Sequence, residues 1–516
     1  MKSISIARNQ RGYAVIFFLF FIAAVALGVY SMYDTGWTAS ERIRLQNTAD
    51  NTTYSTATML SRDMNMMAIT NRGMIANQVM IGQLVGLSSW SNYLAQVTSN
   101  IKTVATLANA IPIVGQVIYQ VAAAVDQAVS TVSSVIDQVA KVLISTQNQV
   151  NGAISTLQFG YHGATYVMIP EMYEKVLKEN DPNASIETVA AIYNISQFLS
   201  VMSSEFERNE KYRSGVAQSG KQNRENARIA QFGKLVNDSR DKFTADRSTS
   251  LGKYTVFPVR GGFDVRAGTD FVPSVVGGET HWEWTSLDAM SFNLGTWGCR
   301  RLRCRWRDTE IPVGWGAAHA LNNGSNYNYS SNSGRTLRTH PNSRYNVAAN
   351  TSRYWRNAFT GGRNATRRSA GLAGTYDSNN NLSNITGIRP FYDFRSNEGR
   401  NSTETLTLIF SKSTDSFRLR RNMADDFNAG YVGEVLNVDE KGSVPGNRIH
   451  ALASAHVTFE RPRDLPLAGS ATPWAINWGR KDNLHEYGNL YNPFWEPKLT
   501  RTDAKLTQLA ITAFGD

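Results

Sequence analysis

The sequence of 516 residues predicts an α+β protein with a single N-terminal transmembrane helix, a long α-helical, coiled-coil stalk region and a C-terminal mixed β-rich domain. Three observations predict it. Tyr13–Tyr33 is an uncharged apolar run of 21 residues, enough to cross a hydrocarbon core of roughly 30 Å as a helix. Val114, Ile118, Val121, Val125, Ala128, Val132, Val135, Val139 and Val142 recur in steps of four and three, an a/d seam sustained for about four heptads. From about residue 250 the character changes. Nine of the eleven tryptophans lie between Trp282 and Trp495, and strand-like segments replace helical periodicity.

Residues 1–12 form a basic tip with Lys2, Arg8 and Arg11, and no acidic residue precedes Asp34. Positive charge is retained on the cytoplasmic side, so residues 13–33 are expected to span once, with the N-terminus inside and the bulk of the chain outside. Ala24–Val25–Ala26 has the small residues of a cleavage site. The apolar run continues seven residues past it without a turn signal, which favours an uncleaved anchor. Thr103–Val125 also lacks charge. Its Asn109, Pro112, Gln116 and Gln120 are costly in lipid, so a second span is the less favoured alternative.

Residues 34–247 read as an extracytoplasmic helical region. Met59, Met64, Met66, Met67, Met74 and Met80 suit irregular gaps between helices. The seam at 114–142 needs a partner, either residues 83–110, residues 154–210 or another protomer. Pro170 and Asp181–Pro182–Asn183 are expected to break the helix, with Ser185 capping the next one. The polar residues 206–247 read as a solvated helix or stalk.

Residues 248–516 read as one domain rich in antiparallel sheet. Strands are expected in Tyr254–Val259, His281–Trp284, Thr403–Phe410, Ser416–Leu419 and Ala455–Phe459, with a closing helix over Thr502–Phe514. An Arg/Asn-rich loop insertion occupies about 295–387. Residues 295–370 hold thirteen arginines and no lysine against one Asp and one Glu, an excess equal to the +11 of the whole chain. The rest of the chain is therefore near neutral. Charged residues make up only 18%, which suits an exported protein. In an oxidising compartment Cys299 and Cys304 are expected to close a small disulfide loop; two free thiols are the alternative.

The start of the chain resembles a known family. Gly12, Asp34, Gly36, Arg42, Leu45, Gln46, Asn47, Ala49 and Asp50, in this order and spacing, resemble the N-terminal segment of TadG-like proteins of the bacterial tight-adherence (Tad/Flp) pilus assembly system. The match covers about the first sixty residues. Ala453–Pro462 followed by Asn489–Trp495 is similar to a C-terminal pattern of longer proteins of the same group. The resemblance implies a single-pass protein of the inner membrane with a periplasmic bulk, contacting other pilus-assembly proteins. Where the family continues with an Ala-rich stretch, this chain has Asn51–Ala57. It also lacks the Asp-x-Ser-x-Ser run of a von Willebrand A-type domain, so metal-dependent adhesion is not carried over.

Chemistry is sparse. No pair of the seven histidines has a compact metal-ligand spacing, and no nucleophile elbow or phosphate loop is present. Neither a cofactor nor enzyme activity is expected. Glu279, His281 and Glu283 would share one face of a strand, where a surface ion pair is the simplest reading. The better functional candidate is the arginine-rich window. Arg300, Arg301, Arg303, Arg305 and Arg307 flank Trp297 and Trp306, and Arg353 and Arg356 flank Trp355. Arginine interleaved with aromatics can hold phosphates or carboxylates while stacking on rings. The sequence therefore suggests a structural component of pilus assembly with a periplasmic platform. The alternative is an envelope-anchored adhesin binding a polyanion, such as an acidic envelope polymer. Self-association through the 114–142 seam is a further expectation.

Overall fold

The computed structural model describes residues 11–108, 114–213, 219–276, 279–300, 303–322, 329–330, 377–378, 381–395, 399–413, 448–462, 482, 484–505 and 508. Two helices make the frame. α1, Arg11–Ala108, is continuous for 98 residues, about 150 Å at ~1.5 Å per residue. α2, Val114–Asn180, returns antiparallel along it, as Lys102–Asp126, Asn77–Asn151, Asp63–His162 and Asn51–Asn180 contacts show. Residues 14–33 are exposed on every side, and the helix is long and apolar enough there to cross a membrane.

Pro170 does not break α2. Ile169 and Tyr173 around it are buried, and tertiary packing outweighs the lost backbone hydrogen bond. The helix ends at Asn180, and the carboxylate of the next residue, Asp181, accepts the Asn183 N–H. Ser185 is not a cap. It lies in β1, Ala184–Ser185, and Glu187 precedes α3, Thr188–Glu205.

The polar segment that follows is no solvated stalk. It forms β2 (Phe206–Asn209), β3 (Tyr212–Arg213), α4 (Gly220–Asp238) and α5 (Lys242–Ala245), and it buries Ile229, Phe232 and Val236. Its polar side chains satisfy backbone groups. Ser219 accepts the Gln222 N–H at the start of α4, and Asp241 accepts those of Phe243 and Thr244 at the start of α5.

A long antiparallel meander follows: β4 (Thr249–Val256), β5 (Val259–Val276), β6 (Glu279–Arg300) and β7 (Arg303–Leu321). β8 (Tyr329–Ser330) pairs with β9 (Asp377–Ser378), and β10 (Asn381–Asn384) adds to β7 in parallel. β11 (Phe391–Phe394) pairs with β2. β12 (Leu406–Ser413), β13 (Arg448–Phe459) and β14 (Trp495–Thr500) join β1 in a second sheet, ordered β1-β12-β13-β14 and antiparallel throughout. Tyr254–Val259 is not one strand: β4 and β5 meet there at the Phe257–Pro258 turn. Ser416–Leu419 and most of Thr502–Phe514 lie outside the described residues.

Both sheets pack on α1. Leu45, Ala49, Leu60, Met64 and Met67 meet β12, β13 and β14 in the core nearer the apolar segment. Met74, Ile75, Ile81 and Val85 meet β5, β6, β7 and α4 in the farther one. The transition near residue 248 is thus a change of secondary structure and not of core.

The far half of α2 turns its polar side to α1. Asp126 accepts from Lys102 and Thr98, Asp137 from Ser88 and Asn92, and Ser133 donates to Asn92. The seam residues point the other way. Ile118, Val121, Val125, Val132, Val135, Val139 and Val142 are 48–66% exposed.

Candidate functional site at the tip of the long hairpin

Small residues bring β7 onto α1. Gly314, Gly316, Ala318 and Ala320 alternate along the strand and share one face. A Cβ on Gly316 would collide with the α1 backbone at Ser89 and Tyr93, so only glycine permits this approach. Beside it Trp284 of β6 lies flat on Gly82, and Asp288 accepts from Ser89 of α1 at 2.5 Å. Arg247 binds both oxygens of the same carboxylate at 2.8 Å. Trp284, Asp288 and Met290 contact α1 at Gly82, Ser89 and Tyr93 in turn, so β6 runs away from the apolar segment. Beyond the Asn100–Val313 hydrogen bond, β6 and β7 extend for about 30 Å of further strand at ~3.3 Å per residue.

Part of the sequence-predicted set lies at this end. Cys299 and Cys304 face each other in the register and are disulfide-bonded. Trp297 lies opposite Trp306, with ring centroids 5.6 Å apart and planes at 68°. The Arg260 guanidinium sits 4.7 Å from the Trp306 ring, and Phe257 of the β4–β5 turn lies 6.4 Å from Trp297. Arg305 and Arg307, two apart on β7, are both exposed. Arg300 and Arg303 form the last register pair of the hairpin. Arg301, Arg353, Trp355 and Arg356 lie outside the described residues. The outcome is a clipped hairpin end with exposed guanidinium groups, a cation–π pair and an apolar point at Phe257, which is 73% exposed.

Phe257 and Arg260 were not legible as members of this patch. They lie some forty residues before the arginine window, and only the β5–β6 register, pairing Arg260 with Gly295, joins them to it. The exposed Phe257–Pro258 turn was the available signal.

The family-like residues occupy the other end of the molecule. Gly12 and Asp34 lie on α1; Gly36, Arg42 and Asn47 are exposed. Leu45 and Ala49 are buried in the nearer core. Gln46 donates to Asp50 and to the Leu452 carbonyl of β13, both at 2.9 Å, so this stretch locks α1 to the sheet. Close by, Lys412 is buried between Glu41 and Asp181, 2.7 Å from each.

Glu279, His281 and Glu283 are not grouped to hold a metal ion. Glu279 pairs with Lys211 at 3.2 Å, and the buried Glu283 accepts the Asn322 N–H at 2.9 Å. Burial, aided by the Lys211 charge, lowers the pKa of His281 against the opposing pull of Glu279. Among the described residues no group of three His, Cys, Asp or Glu side chains is placed to hold a metal ion. No known protein family, no curated protein and no solved structure matches this chain.

Proposed function

We propose that this protein is a membrane-anchored structural component of a Tad/Flp-type pilus assembly machine, built as a platform outside the inner membrane. It is read as a single-pass protein with its N-terminus in the cytoplasm and its bulk in the periplasm. The observation that supports this most is the continuity of α1, which runs from the apolar segment through both cores without a joint. A rod of that kind transmits position. It sets a fixed distance between bilayer and hairpin tip, and its action needs no turnover. Other pilus-assembly proteins are the proposed partners.

Single cysteines at the exposed Asn51, Asn180 and Ser402, in a chain lacking Cys299 and Cys304, test the topology. Labelling of all three in intact cells by a reagent confined to the periplasm is expected. Protection of Asn180 and Ser402 would move the sheets to the cytoplasm and refute the platform. Deletion of the gene is expected to abolish pili.

A second reading rests on Arg305, Arg307 and Phe257, which are exposed at the hairpin tip. It makes the protein an adhesin that takes an acidic envelope polymer there. Normal pili with lost surface attachment on deletion would favour it, as would loss of polysaccharide binding in Arg305→Glu/Arg307→Glu.

A further inference from the structure

The polarity of the far half of α2 is inverted. Its two acidic residues, Asp126 and Asp137, are turned inward to α1, while β-branched side chains cover its outer face. In heptad notation Ile118, Val125, Val132 and Val139 take the a positions, and Val121, Ala128, Val135 and Val142 the d positions. The adjoining e and g positions are Val117, Ala122, Ala124, Val129, Thr131, Ile136, Gln138 and Leu143, without a single charge. A folded chain gains nothing from this seam unless something covers it.

We infer that a second copy of this chain covers it, with the α2 helices of neighbouring protomers packed in parallel through this seam. Three arguments select that occupant. First, the a/d stripe is bordered at the c positions by Gln120, Gln127, Ser134 and Lys141, all exposed and polar, and by Thr131 and Gln138 at g, where a lipid-facing helix would stay apolar. Second, the seam lies beside residues 88–102 of α1, about 80–100 Å of helix beyond Tyr33 at ~1.5 Å per residue, out of reach of a bilayer holding residues 14–33. Third, a seam about 40 Å long and one helix wide buries on the order of 600–800 Å² per chain, close to what a specific interface needs.

The parallel polarity rests on the anchoring proposed above. Copies held in one bilayer stand at the same height and in the same direction, which brings a against a and d against d. With no charge at e or g, identical helices meet without repulsion. β-branched residues at both a and d favour three or more strands over two.

The test uses the full chain in native membranes with its Cys299–Cys304 disulfide intact. Val132→Cys and Val135→Cys are expected to give disulfide-linked multimers of this chain on mild oxidation. Ser130→Cys, exposed but off the seam, is expected to give none. In detergent, light scattering is expected to report two or more chains for the native protein and one for Val125→Asp/Val132→Asp, with unchanged circular dichroism. A monomeric native protein, equal cross-linking at Ser130→Cys, or cross-linking of Val132→Cys only to a different protein would each overturn the inference. Extraction of the chain from membranes by alkaline carbonate would refute the anchor, while the seam cross-links would still report whether the chains pack together.

Discussion

At the scale of single residues, two buried groups set two pH windows. Lys412 bridges Glu41 and Asp181 from 371 and 231 residues away in sequence, so nothing local marks the triad. Burial alone would raise the Asp181 pKa. Hydrogen bonds from Lys412 and the Asn183 N–H, with the Arg44 charge, hold it below the ordinary 3.8 instead. The resulting stability is fully present above that value and is lost as pH falls through the lower folded one. Lys412→Met leaves two carboxylates buried without their cation and is expected to cost about 3–5 kcal/mol in urea unfolding.

His319 acts in a milder window. It is 2% exposed, and burial pushes its pKa down to about 4 from 6.5. Above pH 6.5 it costs nothing. Between 6.5 and 4 the unfolded chain takes up a proton that the folded one resists, so stability should fall by up to about 3 kcal/mol. Denaturation midpoints measured at pH 7, 6, 5 and 4 check this, and His319→Gln is expected to flatten the slope. By contrast, the cysteine pair was readable in advance because it is local, with a separation of only five residues.

At the scale of elements, the apolar segment and the seam announced themselves in the sequence, whereas the end of β6 and all of β7 lie inside the stretch about 295–387 that reads as a loop insertion, because its arginines and glycines mask the strand pattern. Which way an element faces did not announce itself. A heptad pattern reports an apolar stripe and is silent on what lies over it, and α2 pairs with α1 through its opposite, polar side. The break expected at Pro170 failed for a related reason, since packing at Ile169 and Tyr173 decides there and a local rule cannot see it. The contact between β7 and α1 gives a direct check. Gly316→Ala puts a methyl group against backbone at Ser89 and Tyr93, which cannot move aside as a side chain could. It is expected to destabilise by about 1–3 kcal/mol. Gly163→Ala on α2 meets open space and should be neutral or stabilising by up to about 1 kcal/mol, both read from thermal melts.

At the scale of the whole molecule, the α+β class was legible and the arrangement was not. Composition shifts near residue 250, which suggests elements in series along the chain. The sheets in fact lie alongside the helical hairpin, because Gln46, Ser61 and Asn65 of α1 bind Leu452 and Trp495 across more than 400 residues. The arginine patch was half legible for the same reason, its β7 members being close in sequence while Phe257 and Arg260 lie some forty residues earlier. A chain ending at residue 447 lacks β13 and β14 but keeps β5, β6, β7 and α4. Hydrogen exchange should then show residues 45–67 of α1 unprotected and residues 74–97 still protected. Equal protection of both stretches would mean that the two cores do not depend on their own sheets.

The single helix that threads both cores also imposes a timetable on biogenesis. α1 emerges first from the ribosome, and if it leads the way across a membrane it waits there with Leu45, Leu60 and Met64 uncovered. Its covering strands are the last to arrive, so the nearer core cannot close during synthesis, and closure joins chain ends separated by a very long loop. A holding chaperone on the side where it folds would shield those side chains until the strands arrive. Its yield should respond to the supply of that helper more steeply than to any single contact within the finished structure.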